Sequence, residues 1–322
     1  MALVSICIPT HNMGRYLGGA IASVLGQTLS DFELIVCDDA STDETAAVVN
    51  RSHDLRLRYR RFEDRAGQAG TFNRCLESAS GEYLTILHAD DLLLPGFVSD
   101  RVHRLRARPD AAFAFGAVRV IDAEGRPIGV NAPWPEDRDF TSREILLELL
   151  RSCVVCPPSV MVRRRNVHSA GPFRQDLTWG HDWEWTIRLA ATGDAVYAAD
   201  PAAAYRVHDG SGTAEMLKAA RNGPQERRIL SDAIDCLAAA DPSYGRFRRD
   251  AFASLGRRQL YYAHLALERR QPGVARNNLR WAARADPRLV ARPTFWLLLL
   301  ASLGLRSPYA GWTRLRGLNG EP

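Results

Sequence analysis

The order of apolar runs predicts an α/β fold: a mostly parallel sheet covered by helices on both faces, followed by a region built of helices alone. Three observations carry that expectation. Short apolar runs alternate with helical stripes from Val4 to Leu87, the pattern of strands joined by crossover helices. Two of the runs finish in paired carboxylates, Asp38-Asp39 and Asp90-Asp91. From Met216 onward only helical periodicity remains.

Val4 to Ile8 is an apolar run stopped by Pro9, which predicts a buried strand. Tyr16, Leu17, Ala20, Ile21, Val24 and Leu25 then recur at the spacing of one helix face. Phe32 to Cys37 makes the second strand. Ser41-Thr42-Asp43-Glu44 has the spacing of a capping box, opening a helix through Val48 and Val49. Leu55 to Tyr59 predicts a weaker third strand, Thr71 to Ala79 a helix ended by Gly81, and Tyr83 to Leu87 a fourth strand. Beyond Asp91 come a helix from Phe97 to Ala107, a strand from Phe113 to Val120, and a loop from Asp122 to Asp139 rich in Pro, Gly and charge. Ile145 to Leu150 and Trp183 to Ala191 read as helices. Ser159 to Arg163, Ala195 to Ala198 and Ala203 to Val207 read as strands. Tyr261 to Pro287 reads as a helical hairpin turning at Pro272-Gly273.

At 322 residues, 46% hydrophobic and 25% charged, the chain has the composition of a soluble globular protein with room for one large domain and a helical appendage. Its six cysteines are scattered and form no disulfide framework, which predicts reduced thiols and a cytoplasmic setting. Cys153 and Cys156 are the one close pair. Without a second pair or a nearby His they read as buried structural thiols. No basic, apolar, cleavable segment precedes the first strand, so no signal peptide is expected. The longest apolar stretch, Phe295 to Leu305, is too short to span a bilayer as a helix. Charge is uneven: residues 214–322 hold 19 Lys+Arg and 9 Asp+Glu, a balance of +10 against −5 for residues 1–213. A basic second part suits an anionic surface.

Ligands of an open parallel sheet bind outside the carboxyl ends of its strands. Both acid pairs, with Pro9, Thr10 and His11 from the first strand, then converge on one rim. Either pair alone could simply solvate a strand end or cap the next helix. Two pairs on the same rim repel each other unless a cation joins them, and hard oxygen ligands suit Mg²⁺ or Mn²⁺. No P-loop is present and no Gly-x-Gly-x-x-Gly follows the first strand, so a bound diphosphate lacks an amide cradle and must be held through metal.

"VSICIPTHN", "QTLSDFELIVCDDASTDET", "GTFNRCLESASGEYLTILHADDLLLPG" and "GHDWEWTIRLAATG" resemble, in order and spacing, the blocks of family 2 inverting glycosyltransferases with the GT-A fold. The resemblance covers roughly residues 3–210. It implies a GT-A catalytic domain at 1–212, with a nucleotide half at about 1–95 and an acceptor half at about 96–212, and a helical region at 213–322. It implies a nucleotide-sugar donor, commonly a UDP-sugar, a divalent cation (Mn²⁺ or Mg²⁺), and a glycan, lipid-linked or other hydroxyl acceptor. No nucleic acid partner is expected. By position, Pro9, Thr10 and His11 sit against the nucleotide with Gly67, Asp38 and Asp39, and Asp39 holds the base or ribose. Asp91 is the direct metal ligand, with Asp90 on the ribose or in the metal shell. Asp182 is the general base. This chain has His88 and His181 where many members carry acids, so His88 reads as structural. His208 is read both as a ligand near metal or phosphate and as a loop histidine. Trp179 and Trp183 could stack on sugar or pack in a core, and Arg163 to Arg165 could contact phosphate or form a solvated face.

A sugar nucleotidyltransferase and a catalytically degenerate nucleotide-sugar-binding scaffold are the competing readings. Phe295 to Leu300, flanked by Arg292, Arg306, Arg314 and Arg316, admits three partners: a membrane interface, the catalytic domain, or a second subunit in a homo-oligomer.

Overall fold

The structure, a computed structural model, describes residues 2–212, 214–215 and 222–305. It divides into two compact units, one drawn from residues 1–149, 153–177 and 181–208, the other from 150–152, 178–180 and the chain after 208.

The first unit is α/β. Its opening half runs β1 (Val4–Thr10), α1 (Gly14–Leu25), β2 (Phe32–Asp39), α2 (Thr45–Asn50), β3 (Leu57–Phe62), α3 (Gly67–Ser78) and β4 (Tyr83–Ile86). The second half runs β5 (Leu92–Leu93), α4 (Phe97–Ala107), β6 (Ala111–Ile121), β7 (Pro127–Asn131), β8 (Arg138–Phe140), α5 (Ser142–Arg151), β9 (Met161–Arg163), α6 (Arg164–Ala170), α7 (His181–Ala190) and β10 (Asp194–Arg206). One sheet has the order β3-β2-β1-β4-β9-β6-β10-β5, with β7 on β6 and β8 on β10. The long ladders, β1 with β2 and β4, β2 with β3, and β6 with β10, are parallel. The reversed partners β9, β5, β7 and β8 are short. β1 and β2 are buried along their whole length, as strands covered on both faces must be. α1 lays Leu17, Ala20, Ile21 and Val24 on that sheet, and their burial with Ile6, Ile8, Leu34 and Val36 makes one continuous core.

Several elements differ from the sequence reading. The stretch expected as loop, Asp122 to Asp139, contains β7 and β8. β7 is exposed throughout, so it carries no apolar alternation, and pairing with β6 makes it a strand. The two strands expected at 195–198 and 203–207 are one strand, β10, with a register break between Ala198 and Ala203. The third strand begins at Leu57, leaving Leu55 fully exposed. The capping box at Ser41 to Glu44 does not form, because its polar atoms are used elsewhere. Ser41 Oγ accepts from the Asn12 amide, and Asp43 accepts the Gly14 amide at the start of α1 (3.0 Å). None of the six cysteines is in a disulfide, but the pair read as buried is not: Cys153 is exposed and Cys156 half-buried.

The second unit is helical: α8 (Asn222–Ala240), α9 (Arg248–Glu268), α10 (Pro272–Ala285) and α11 (Pro293–Ser302). Pro272 opens α10, where its missing amide costs nothing. The small core of α9, α10 and α11 is Ala263, Ala266, Ala275, Leu279, Phe295 and Leu298. Arg258 and Glu226 form a buried ion pair there (2.8 Å). Among the described residues no helix is long and apolar enough to cross a membrane.

Candidate functional site

The carboxyl ends of β1 and β2 lie side by side, with Thr10 in register with Asp38 and Pro9 with Cys37. His11 Nδ1 lies 2.7 Å from the Asp39 carbonyl oxygen, and buried Thr10 has no partner for its hydroxyl. Asp38 accepts the Ser41 amide (2.9 Å) and the Tyr59 hydroxyl (2.5 Å). Burial, then the bond to Asp38, pushes the Tyr59 hydroxyl far above its ordinary value, so it stays a donor. Asp39 is held more tightly. Its Oδ1 accepts from the Ala66 amide (2.7 Å) and Arg74 Nη1 (2.8 Å), and its Oδ2 from the Gly67 amide (2.9 Å). Gly67 has φ +72°, a left-handed conformation natural to glycine, which lets two successive amides face one carboxylate. Both acids of the first pair are therefore satisfied by the protein.

The second pair is not. Asp91 is 1% exposed; its Oδ1 accepts the Arg206 amide (2.8 Å), and its Oδ2 has no hydrogen-bond partner. Burial, then the charge of Asp90, pushes the Asp91 carboxyl well above the usual range. Asp90 Oδ2 is 3.1 Å from His208 Nε2, and Arg206 Nε donates to the Asp90 carbonyl (2.7 Å). His88 Nδ1 lies 3.8 Å from Asp91 Oδ2, and its Nε2 is buried without a partner. Ligand atoms of His88, Asp90 and Asp91 all lie within 4.8 Å of one another. A buried carboxylate oxygen without a hydrogen-bond partner is costly, and a divalent cation shared with the neighbouring imidazole would relieve it. The donor set fits such an ion.

Asp182 stands in the first turn of α7, where its Oδ1 accepts the Trp183 amide (2.9 Å). Its side chain and His88 line one cavity of about 40 Å³ with Phe72, Val155, Phe173 and Trp185. That is room for a water molecule and not for a hexose. Phe72, carried by α3, stacks on His88 (centroids 5.4 Å) and meets His181 edge-on (5.2 Å). His181 is 4% exposed with neither ring nitrogen partnered, and burial lowers its pKa, holding the ring neutral. The turn after β4 and the start of α7 thus face each other across Phe72.

Sequence reasoning treated His88 as structural, whereas it belongs to the one metal-competent group found among the described residues. Its place two residues before Asp90, where an acid is usual, was the available signal. Arg74, Tyr59 and Arg206 were missed because their partners are distant in sequence. Trp183 is 2% exposed and its indole donates to the Leu149 carbonyl (2.9 Å). Trp179 belongs to the other compact unit. Arg163 is no phosphate contact either, since its buried guanidinium bonds the carbonyls of Ala111, Leu105 and Arg108.

The sequence matches the model of "Glycosyl transferase family 2" over residues 5–170. Chondroitin synthase of Escherichia coli is 29% identical over 192 residues, 59% of this chain and 27% of that protein. The chain therefore spans about a quarter of that relative's length. Staphylococcus aureus TarS 1–349 in complex with UDP-GlcNAc superposes with a TM-score of 0.57 at 16% identity, covering 94% of this chain and 92% of TarS 1–349. The mannosyltransferase PcManGT of Pyrobaculum calidifontis, in complex with GDP-Man and Mn²⁺, superposes with a TM-score of 0.58 at 22% identity over 98% of this chain and 84% of that one. These likenesses establish the GT-A fold. With more than half its length matched by the family model, the chain belongs to glycosyl transferase family 2.

Proposed function

We propose that this chain moves a sugar from a nucleotide-sugar donor, a UDP-sugar in the first instance, to an acceptor hydroxyl with inversion at the anomeric carbon. The process served is the synthesis of a cell-surface polysaccharide or glycoconjugate, on the cytoplasmic side. The observation that carries this reading is the cavity wall shared by Asp182 and His88, which links a carboxylate base to the His88–Asp90–Asp91 group. Sugar-nucleotide complexes of two structural neighbours, and the polymer-forming activity in the name of chondroitin synthase, support it.

Residues 1–212 form the catalytic part, with the nucleotide half at about 1–95 and the acceptor half at about 96–212; residues 213–322 serve a separate role. Pro9, Thr10 and His11 line the nucleotide with Asp38, Asp39 and Gly67. Thr10 brings an unused hydroxyl. Asp39 acts by fixing the amides of Ala66 and Gly67, because its own oxygens are occupied. His88, Asp90 and Asp91 hold the cation, and His208 orients Asp90. The imidazole among the donors makes Mn²⁺ a better match than oxygen-seeking Mg²⁺. When bound, the ion supplies Lewis-acid neutralisation of the charge on the departing diphosphate. Asp182 takes the acceptor proton as the new bond forms. An ordinary carboxylate is a weak base, so positioning supplies much of the effect.

The test is a product assay with UDP-sugars, Mn²⁺ and saccharide acceptors. Release of nucleoside diphosphate with a β-configured product from an α-linked donor agrees with the proposal. Release of pyrophosphate would make the chain a nucleotidyltransferase, and nucleotide binding without turnover would make it a scaffold.

A further inference from the structure

α11 reads PTFWLLLLAS and is apolar on every side. A helix of that kind inside a globular unit is normally enclosed. Among the described residues this one is enclosed on one side only. Phe295 and Leu298 are buried against Ala263, Ala266, Ala275 and Leu279 of α9 and α10. Trp296 is 50% exposed, Leu300 38%, Leu303 56% and Leu305 56%. Trp296, Leu300 and Leu303 are spaced by four and three residues, so they form one stripe along the helix.

The segment that carries the stripe is basic. Between residues 257 and 305 the sequence holds nine Arg, seven of them exposed (Arg258 is buried on Glu226 and Arg276 half-buried), and two acids, Glu268 and Asp286. Both acids are already paired, Glu268 with His264 and Asp286 with Arg288. Arg292 is exposed at the start of α11, one turn before Trp296. Arg276 donates to the Ser302 carbonyl at its end (2.6 Å). The indole of Trp296 donates to the Val290 carbonyl (2.8 Å) while its ring stays half exposed. Such a side chain, satisfied at its polar atom and bare on its ring, suits the boundary between water and hydrocarbon. The chain after Leu305 continues this composition, with Arg306, Tyr309, Trp312, Arg314 and Arg316.

We propose that the outer stripe of α11 is a peripheral membrane-binding surface: Trp296, Leu300 and Leu303 enter the interface of an anionic bilayer, and the arginines around them meet its headgroups. Charge selects the lipid. A protein partner needs shape complementarity across a larger patch, whereas an interface needs only an apolar stripe with cations beside it. The inference rests on α9, α10 and α11 alone and does not depend on the catalytic reading.

The test is flotation of the full chain with vesicles of equal parts phosphatidylglycerol and phosphatidylcholine, beside vesicles of phosphatidylcholine alone. The wild type is expected to float with the anionic vesicles, to release as salt is raised, and to stay behind with the neutral ones. L300Q/L303Q, which alters only exposed positions, is expected to lower partitioning at least about tenfold, with its thermal unfolding unchanged. W296S serves as an independent second variant. Failure of the wild type to float, or equal flotation of L300Q/L303Q and wild type, would overturn the proposal. So would a wild-type dimer that L300Q/L303Q splits into monomers, because the stripe would then belong to a second copy.

Discussion

Asp38-Asp39 and Asp90-Asp91 look alike in the sequence: each is a pair of acids after an apolar run. In the fold they are opposites. The first pair collects five donors from the protein itself: the amides of Ser41, Ala66 and Gly67, the Tyr59 hydroxyl and the Arg74 guanidinium. The second leaves a buried oxygen of Asp91 with no donor, 3.8 Å from His88 Nδ1, and the other ring nitrogen of His88 is buried without a partner as well. A doubled carboxylate is open to a cation only where the protein leaves one of its oxygens unsatisfied. The first pair braces the β2 and α3 ends; the second keeps an oxygen open to a cation.

Substitutions can break this contrast. Asp91→Asn removes the charge that the cation needs, and sugar transfer should fall by three orders of magnitude or more, on the order of 4 kcal/mol. The same change should cost little stability in metal-free protein, because burial already disfavours the ionised carboxyl and Asn keeps an acceptor for the Arg206 amide. Steady-state transfer assays and metal-free thermal melts check both halves. Asp182→Asn should lower transfer about 10²- to 10⁴-fold while nucleoside diphosphate binding, read by calorimetry, stays at the wild-type level. Asp39→Ala should behave oppositely to Asp91→Asn: it strands Arg74 and two amides, and chemical denaturation should show a loss of roughly 3 kcal/mol.

The smallest effect concerns a third acid, at the amino rim of the same sheet. Glu33 accepts from Ser5 (2.7 Å), from the Ser80 hydroxyl (2.7 Å) and from Arg58 (2.9 Å). Burial pushes its pKa up, but these bonds together hold it below its ordinary 4.5. A depressed carboxyl stabilises the fold above its ordinary value, and that contribution is lost as pH falls through the lower folded value. Glu33→Gln should therefore flatten the acid limb of a stability-against-pH curve below about pH 4.5 and leave neutral-pH transfer unchanged.

Much of this was legible in the residues. The apolar runs Val4 to Ile8 and Phe32 to Cys37 have no other use than buried strands, and the stripe from Tyr16 to Leu25 fits one helix face. What escaped was whatever depends on distant partners. β7 is fully exposed, so hydrophobic periodicity carries no record of it. Ser41 and Glu44 have the spacing of a capping box, yet Asn12, about thirty residues earlier, claims the Ser41 hydroxyl, and Asp43 bonds the Thr45 amide at the start of α2 with one oxygen and the distant Gly14 amide with the other. In the site, acids at strand ends could be seen in the sequence, but which were already satisfied could not. Tyr59, Arg74 and the amides that saturate the first pair come from three other segments. His88 was set aside for lacking a carboxylate, although an imidazole beside Asp91 serves the same need.

A divalent ion held by Asp91 and His88 would balance the carboxylate oxygen that the protein leaves unpaired. Calorimetric titration of Mn²⁺ into the full chain, with and without UDP, measures this directly, run beside Asp91→Asn and Asp39→Asn. The account predicts one Mn²⁺ per chain, tightened by UDP, lost in Asp91→Asn and retained in any Asp39→Asn protein that folds. Equal Mn²⁺ binding by wild type and Asp91→Asn would contradict it.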